Sequence, residues 1–315
     1  MINVACNFDS RFELPFAVLA ASIEKHSQSD VTLHAFHEGR LNYAQTLVGA
    51  FEKVKVLFHD VSGAFNKYET QSNITFARLH LHSLLDGVGR VIYLDSDMIV
   101  LRDLTELFNV DLHGKPIAAV LDYVVALWVQ RKDMIGSSDF RCQADVYLRH
   151  ALGMKNGKDY INTGLLVIDT AEYVTSGMPE RVERFLKETP HRIFNDQDAL
   201  NAVLDGNVSL LDPRWNCFHE LNDYAKLRPT STEIKNVLKS YANPWIIHFA
   251  GRKPWDSTAC PGPFDRLFWD HVGNDLPQEW LFRKFLFQFI PPSAQNALVK
   301  VVSAKRKIPD RTANS

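Results

Sequence analysis

The run Arg90-Val91-Ile92-Tyr93-Leu94-Asp95-Ser96-Asp97-Met98-Ile99-Val100 constrains this chain more than any other stretch. Its β-branched and aromatic residues read as a buried strand, which delivers two carboxylates where it emerges. Side chains at i and i+2 of an extended segment share a face, so Asp95 and Asp97 converge on one point. Two carboxylates that close repel unless a cation sits between them or one takes a proton. The expected resolution is a bound divalent metal, and a metal at a strand end commonly holds a phosphate.

The segments around this run predict its setting. Ile2 to Cys6, Val31 to Phe36 and Val54 to Phe58 read as strands, with helical spacing over Leu14 to His26, Leu41 to Phe51 and Thr75 to Leu85. Pro15 is tolerable in a first helical turn. This β-α-β-α-β order predicts an α/β fold with a mostly parallel sheet covered by helices on both faces. Such sheets bind ligands at the carboxyl ends of their strands, where Asp95 and Asp97 are expected. Ile117 to Leu121, Ile161 to Ile168 and Trp245 to Phe249 are later strands, and Pro179 to Glu188 and Asp196 to Leu204 are helices. Ala126 to Tyr147 is polar and mixed, and no element is placed there.

Composition excludes several classes. The 315 residues are 46% apolar and 23% charged, enough for a large core. A formal charge of -2 argues against a nucleic-acid protein, which needs basic excess to neutralise phosphates. Cys6, Cys142, Cys217 and Cys260 have no Cys-x-x-Cys spacing, so reduced thiols in a cytosol are expected. The beginning of the chain has neither a basic leader nor a cleavable apolar segment, and no run is long enough to span a bilayer. From Leu281 to Ser315 the composition shifts, with seven Lys or Arg against one acid, Asp310. Bulky aromatics lie beside that charge in Trp280 to Ile290. We therefore expect a domain over 1–275 and a basic amphipathic tail over 276–315. Its residues 280–311 would dock on an anionic membrane surface, making the protein cytoplasmic and peripheral to the inner face of the membrane. The competing reading is a helix packed on protein with a flexible basic end.

Each remaining candidate has a plain structural alternative. Asp196-Gln197-Asp198 opens a helix, where acids cap and compensate the dipole. His248 ends an apolar run and suits a hydrogen-bonded core histidine, but Gly251, Arg252 and Lys253 follow, a close-approach glycine and two cations suited to a diphosphate. Two carboxylates and one imidazole match Mn²⁺ or Mg²⁺. Arg78 among apolar neighbours could snorkel to solvent, and Asp122 could be a turn acid. Asn162 and Gly164 interrupt a strand, as at a bend or close backbone approach.

Taken together these residues resemble glycosyltransferase family eight. Thr75-Phe76-Ala77-Arg78-Leu79, Tyr93 to Asp97, Asn162-Thr163-Gly164, Asn195 to Asn201 and His248 to Trp255 fall in that family's order. The resemblance runs from residue 2 to about residue 256. It implies a GT-A fold, a Rossmann-like nucleotide-sugar-binding α/β domain fused to acceptor-binding elements. It implies a retaining hexosyltransferase in which Asp95, Asp97 and His248 hold Mn²⁺ against the diphosphate of a UDP-sugar. By the same resemblance Asp9 contacts uracil, and Gly251 and Lys253, with Arg252 sharing the role, clamp the phosphates. Arg78, Asp122, Asn162 and Asp196 would line the donor sugar, with Gln197 beneath the anomeric carbon and Asp196 the candidate carboxylate for a covalent route. Two features depart from the family pattern. Asn7 to Arg11 lacks the usual acid-acid-asparagine run, and His248 to Lys253 is one residue shorter than the common spacing.

The implied reaction moves glucose or galactose from UDP to a glycan hydroxyl, and the tail points to a lipid-linked acceptor such as a lipopolysaccharide core. The rival readings are a nucleotidyltransferase that makes nucleotide sugars, and an inactive nucleotide- or sugar-binding module. The first would carry a Gly-rich loop where Asn7 to Phe12 has no glycine. The second is opposed by an intact set of Asp95, Asp97, Asp196, Gln197 and His248.

Overall fold

Adjacent residues in the central strands are apolar because both faces of the sheet are buried. The computed structural model describes residues 1–68, 73–136, 141–155, 157–220, 231–240, 242–255 and 264–271. In order, its strands are β1 (Ile2–Asp9), β2 (Val31–Glu38), β3 (Val54–Asp60), β4 (Arg90–Leu94), β5 (Met98–Val100) and β6 (Ile117–Leu121). The short hairpin β7 (Met134–Gly136) and β8 (Arg141–Gln143) follows, then β9 (Ile161–Asp169), β10 (Ser209–Leu210), β11 (Cys217–Phe218) and β12 (Ile246–His248).

The main sheet has the order β10-β6-β9-β4-β1-β2-β3, and only β9 runs against its neighbours. Ile92 and Leu94 of β4 enter one core cluster while Val91 and Tyr93 enter the other. β6 divides likewise, Ala118 and Val120 against Ile117 and Ala119. This period-two division between two apolar layers explains the near-continuous hydrophobic runs. Helix Glu13–His26 covers the first layer; helices Met178–Glu188 and Asn195–Leu204 cover the second.

A small second sheet, β11-β12-β5, positions the site. The chain leaves the main sheet at Leu94, turns through Asp95-Ser96-Asp97, and enters the small sheet at Met98. Ile99, Ile247 and Phe249 pack with Leu14 and Val18 of the first helix and with Phe268 and Trp269 of helix Asp265–Asp270. Val100 N–H also donates to Ser22 Oγ at 2.9 Å. The aspartate turn is therefore held from both sides.

Three expectations change. Leu41 to Phe51 yields only the short helix Ala44–Leu47, because Glu13, fully buried, takes the N–H groups of Asn42, Tyr43 and Ala44 and fixes where the helix begins. Thr75 to Leu85 is not one helix but the 3₁₀ segment Asn73–His80 followed by Leu81–Leu84. Asn7 Nδ2 donates to Ile74 O at 2.6 Å, so a side chain captures one of the segment's carbonyls. Third, the mixed stretch Ala126 to Tyr147 carries most of helix Tyr123–Arg131 and the β7–β8 hairpin. Cys6, Cys142 and Cys217 are free thiols. No helix among the described residues is long and apolar enough to cross a membrane. Cys260 and the basic tail lie outside the described residues.

Candidate active site

Strand pairing brings Asp95, Asp97 and His248 together. β5 pairs antiparallel with β12, placing Met98 opposite His248, and Phe249 N–H donates to Asp97 O at 2.9 Å. β4 pairs with β9, and Asp95 N–H donates to Gly164 O at 2.8 Å. His248 Nε2 then lies 3.3 Å from Asp97 Oδ1 and 3.8 Å from Asp95 Oδ2. One donor atom from each of the three residues falls within 4.8 Å of the others. A divalent cation fits this set, since two carboxylate oxygens and one imidazole nitrogen suit a hard-to-borderline ion. Burial pushes the Asp97 carboxyl up, but Lys253 and His248 hold it well below the ordinary carboxylate range.

Two further residues shape this cluster. Asn216, 1% exposed, accepts at Oδ1 from His248 Nδ1 at 3.0 Å, the hydrogen bond that leaves Nε2 free to ligate. Its Nδ2 donates to Asn162 Oδ1 at 2.8 Å. Gly164 is required by space: a Cβ there would stand 2.5 Å from His248 Cε1 and 2.9 Å from both Asp95 Oδ2 and Asn162 Oδ1. The glycine anticipated as a close approach thus forms the back of the cluster.

Beside the cluster opens a cavity of about 690 Å³ whose lining includes Arg78, Asp95, Asp122, Asn162, Asp196 and Gln197. Arg78 does not snorkel. It is buried, 2.9 Å from Asp95 Oδ1 and 3.0 Å from Asp196 Oδ2, with Nη1 donating to Thr163 O at 2.8 Å and the guanidinium over the Tyr93 ring. Burial raises the Asp196 carboxyl and Arg78 opposes that rise. Asp122 caps helix Tyr123–Arg131, taking the N–H groups of Val124 and Val125 on Oδ1. Its other oxygen accepts from Asn162 Nδ2 at 3.1 Å and Gln197 Nε2 at 3.2 Å, and burial pushes its carboxyl up. The Gln197 carbonyl faces Thr163 N–H at 3.1 Å and Asn162 Nδ2 at 3.2 Å. His248, Asn216, Asn162, Asp122 and Gln197 therefore form one hydrogen-bonded line.

The two acids of Asp196-Gln197-Asp198 separate in role. Asp196 lines the cavity, whereas Asp198 is wholly buried, accepting from Tyr147 and Tyr160 hydroxyls at 2.6 Å each and from Phe194 N–H at 2.8 Å. Both acids lie in the first turn of the helix, as expected, and Asp198 takes the N–H of Phe194, the residue that precedes the helix. Asn195 adopts φ +40°, a left-handed conformation asparagine tolerates better than most residues.

A smaller cavity of about 170 Å³ borders the aspartate turn and is lined in part by Asn7, Phe8, Asp9 and Phe12. There Asp9 pairs with Arg11 at 2.6 Å and caps the following turn. Lys253 Nζ donates to Asp97 Oδ2 and to Phe249 O. Gly251, at φ +89°, lines the larger cavity. Arg252 pairs with Asp265 through two hydrogen bonds of 2.7 and 2.9 Å, and that carboxylate is 1% exposed and requires a partner.

Asn216 was not anticipated: it sits in the turn Pro213–Asn216, 32 residues before His248, where no spacing links the two. Tyr93 was read only as strand, yet its hydroxyl lies 2.7 Å from Asp95 Oδ1 and 2.6 Å from Asn7 Oδ1. The polar tip on an otherwise apolar strand was the available signal.

With this geometry in hand, comparison with known proteins is informative. The chain is 31% identical over 230 residues to general stress protein A of Bacillus subtilis (strain 168), covering 66% of this chain and 73% of that protein. It is 32% identical over 207 residues to the probable galacturonosyltransferase-like 9 of Arabidopsis thaliana, but that match covers 63% of this chain and only 49% of the plant protein. Among solved structures, the bifunctional glycosyltransferase WbbM matches with a TM-score of 0.78 and 26% identity, over 91% of this chain and 51% of that one. The galactosyltransferase LgtC, in complex with donor and acceptor sugar analogues, matches in fold with a TM-score of 0.71 and 22% identity, over 90% of this chain and 100% of that one. These neighbours share the GT-A fold expected above. The family model for glycosyl transferase family 8 matches residues 3–259, and the chain belongs to that family.

Proposed function

We propose that this chain is a retaining hexosyltransferase that takes glucose or galactose from a UDP-sugar, with Mn²⁺ or Mg²⁺, and places it on a hydroxyl of a glycan. Residues 1–275 would form the catalytic domain, and a lipid-linked oligosaccharide such as a lipopolysaccharide core would be the acceptor. One observation carries the reading: Asp95 belongs both to the Asp95, Asp97, His248 cluster and to the wall of the cavity that holds Asp122, Asn162, Asp196 and Gln197.

A departing UDP develops negative charge on its terminal phosphate. A divalent ion held by Asp95, Asp97 and His248 would supply Lewis-acid stabilisation of that charge. Lys253 would turn from Asp97 to the phosphates, and the left-handed Gly251 would allow close backbone approach. Uridine would occupy the smaller cavity beside Asp9. Asn162, Asp122 and Asp196 would contact the donor sugar, with Arg78 fixing Asp196 and Asp95. Retention requires either a carboxylate nucleophile or attack from the face that UDP leaves. The Arg78–Asp196 pair supports same-face transfer, because a paired carboxylate is a weaker nucleophile. The Gln197 carbonyl is suited to stabilise an oxocarbenium-like centre rather than to attack it.

The test is UDP release from UDP-glucose and UDP-galactose, with Mn²⁺ and with excess chelator. Release that needs the metal and returns on adding Mn²⁺ is expected. Release indifferent to chelator, or none from either donor, would overturn the reading.

A further inference from the structure

The turn that carries Lys253 is tied to a helix outside both cavities. After β12 the chain passes Ala250 and Gly251, which line the large cavity, and then Lys253, which reaches Asp97. Arg252 stands between them and lines neither cavity. Its guanidinium grips Asp265 with two prongs, Nη1 to Oδ2 at 2.7 Å and Nη2 to Oδ1 at 2.9 Å. Its Nε lies 3.6 Å from Glu220, a carboxylate so close to Gly251 that a Cβ there would meet it at 3.2 Å. Beyond Lys253, Trp255 packs on Phe268 with ring centroids 5.0 Å apart and stands edge-on to Phe12 at 5.8 Å. Lys253 is thus flanked by two attachments to helix Asp265–Asp270. That helix is itself fixed, because Phe268 and Trp269 are buried with Ile99, Ile247 and Phe249.

We propose that Arg252 is a positioning residue. Its ion pair with Asp265 holds Gly251 at the cavity wall and keeps Lys253 where the ammonium can reach a diphosphate. The inference rests on the UDP-sugar reading above and adds the device that aims its phosphate-facing turn. Lys253 Nζ now holds Asp97 and Phe249 O, and turning to a diphosphate gives up both. That movement leaves the Arg252–Asp265 contact in place, so the turn keeps an anchor when the lysine departs. A direct phosphate contact by Arg252 is the costlier alternative. Asp265 is 1% exposed, and drawing the guanidinium away would strand a buried carboxylate. A two-pronged, charge-assisted pair also fixes orientation as well as distance, as an anchor requires.

The experiment uses the full chain with Mn²⁺, and its probes are UDP and uridine titrated by calorimetry. R252Q and D265N are each expected to weaken UDP about tenfold, while uridine, which has no diphosphate, stays within about twofold of wild type. Asp265 lines neither cavity, so UDP affinity lost in D265N reports the pair and not a missing ligand contact. The double variant R252Q/D265N should lose no more UDP affinity than either single variant, because all three remove one interaction. It also removes both charges at once, so it carries the test if a stranded partner unfolds a single variant. Thermal melts identify the folded variants. UDP affinity lost in R252Q but kept in D265N would give Arg252 a direct phosphate contact and overturn the positioning role. So would UDP binding unchanged in every folded variant, or uridine weakened in step with UDP. A wild type that binds no UDP would sink the UDP-sugar reading and this inference together. UDP binding that depends on Asp265 in a protein that transfers no sugar would sink the transfer reading alone.

Discussion

Gly164→Ala is expected to reduce sugar transfer by about 10³-fold or more, although the substitution adds one methyl group. That methyl has no free direction: it meets His248 Cε1 at 2.5 Å and the side-chain oxygens of Asp95 and Asn162 at 2.9 Å. The backbone has little room to yield, because Gly164 O accepts from Asp95 N–H and Gly164 N–H donates to Asn162 Oδ1. Relief must come from the imidazole or the carboxylate, and either movement dismantles the donor set. Overpacking of this kind costs about 1–3 kcal/mol of stability, so the variant should still fold. Calorimetric titration with Mn²⁺ should show affinity weakened about 100-fold, alongside the loss in UDP release. Activity within tenfold of wild type would mean that Asp95 and His248 do not act on the same ion.

Asp97→Asn is expected to have an effect at least as large, about 10³-fold or more in kcat/KM, without altering the shape of the turn. The amide removes a charge from the donor set and also the carboxylate on which Lys253 rests. Burial raises the energy of this carboxylate in isolation, and Lys253 and His248 together more than offset that, leaving it firmly ionised. Once the charge is gone, the lysine and any divalent ion lose a common partner. The variant should therefore show both a weaker Mn²⁺ response and a raised donor KM. Steady-state UDP release across a Mn²⁺ series distinguishes this from simple misfolding, since excess Mn²⁺ should recover part of the rate. Full activity at ordinary Mn²⁺ would contradict the assignment of Asp97.

How far these features could be read from sequence depends on the physics that fixes them. Strand ends were legible: Asp95, Asp97, Asn162, Gly164 and His248 each follow or interrupt an apolar run, and a buried sheet places such ends together. The two-faced core was legible for the same reason, since Val91 to Leu94 leaves no polar face. Helix lengths were less so. Apolar spacing over Leu41 to Phe51 and Thr75 to Leu85 carries no trace of the buried Glu13 carboxylate or the Asn7 amide that reshape those segments. Asn216 was missed as part of the site because it orients His248 from a turn 32 residues away in sequence. The pairing of Arg252 with Asp265 is invisible to local pattern, because the two residues meet only through the fold. The expected membrane-docking tail, over 280–311, lies outside the described residues.

The central claim is that one divalent ion is gripped jointly by the aspartate turn and by a histidine 151 positions beyond Asp97 in the small sheet. Its most direct test is a crystal of the full chain grown with UDP and MnCl₂ and measured for anomalous scattering. The account predicts a single strong manganese peak in contact with Asp95, Asp97 and His248 Nε2 and with the nucleotide diphosphate. A peak that touches the carboxylates but not the imidazole, or a diphosphate bound with no manganese at this position, would contradict it.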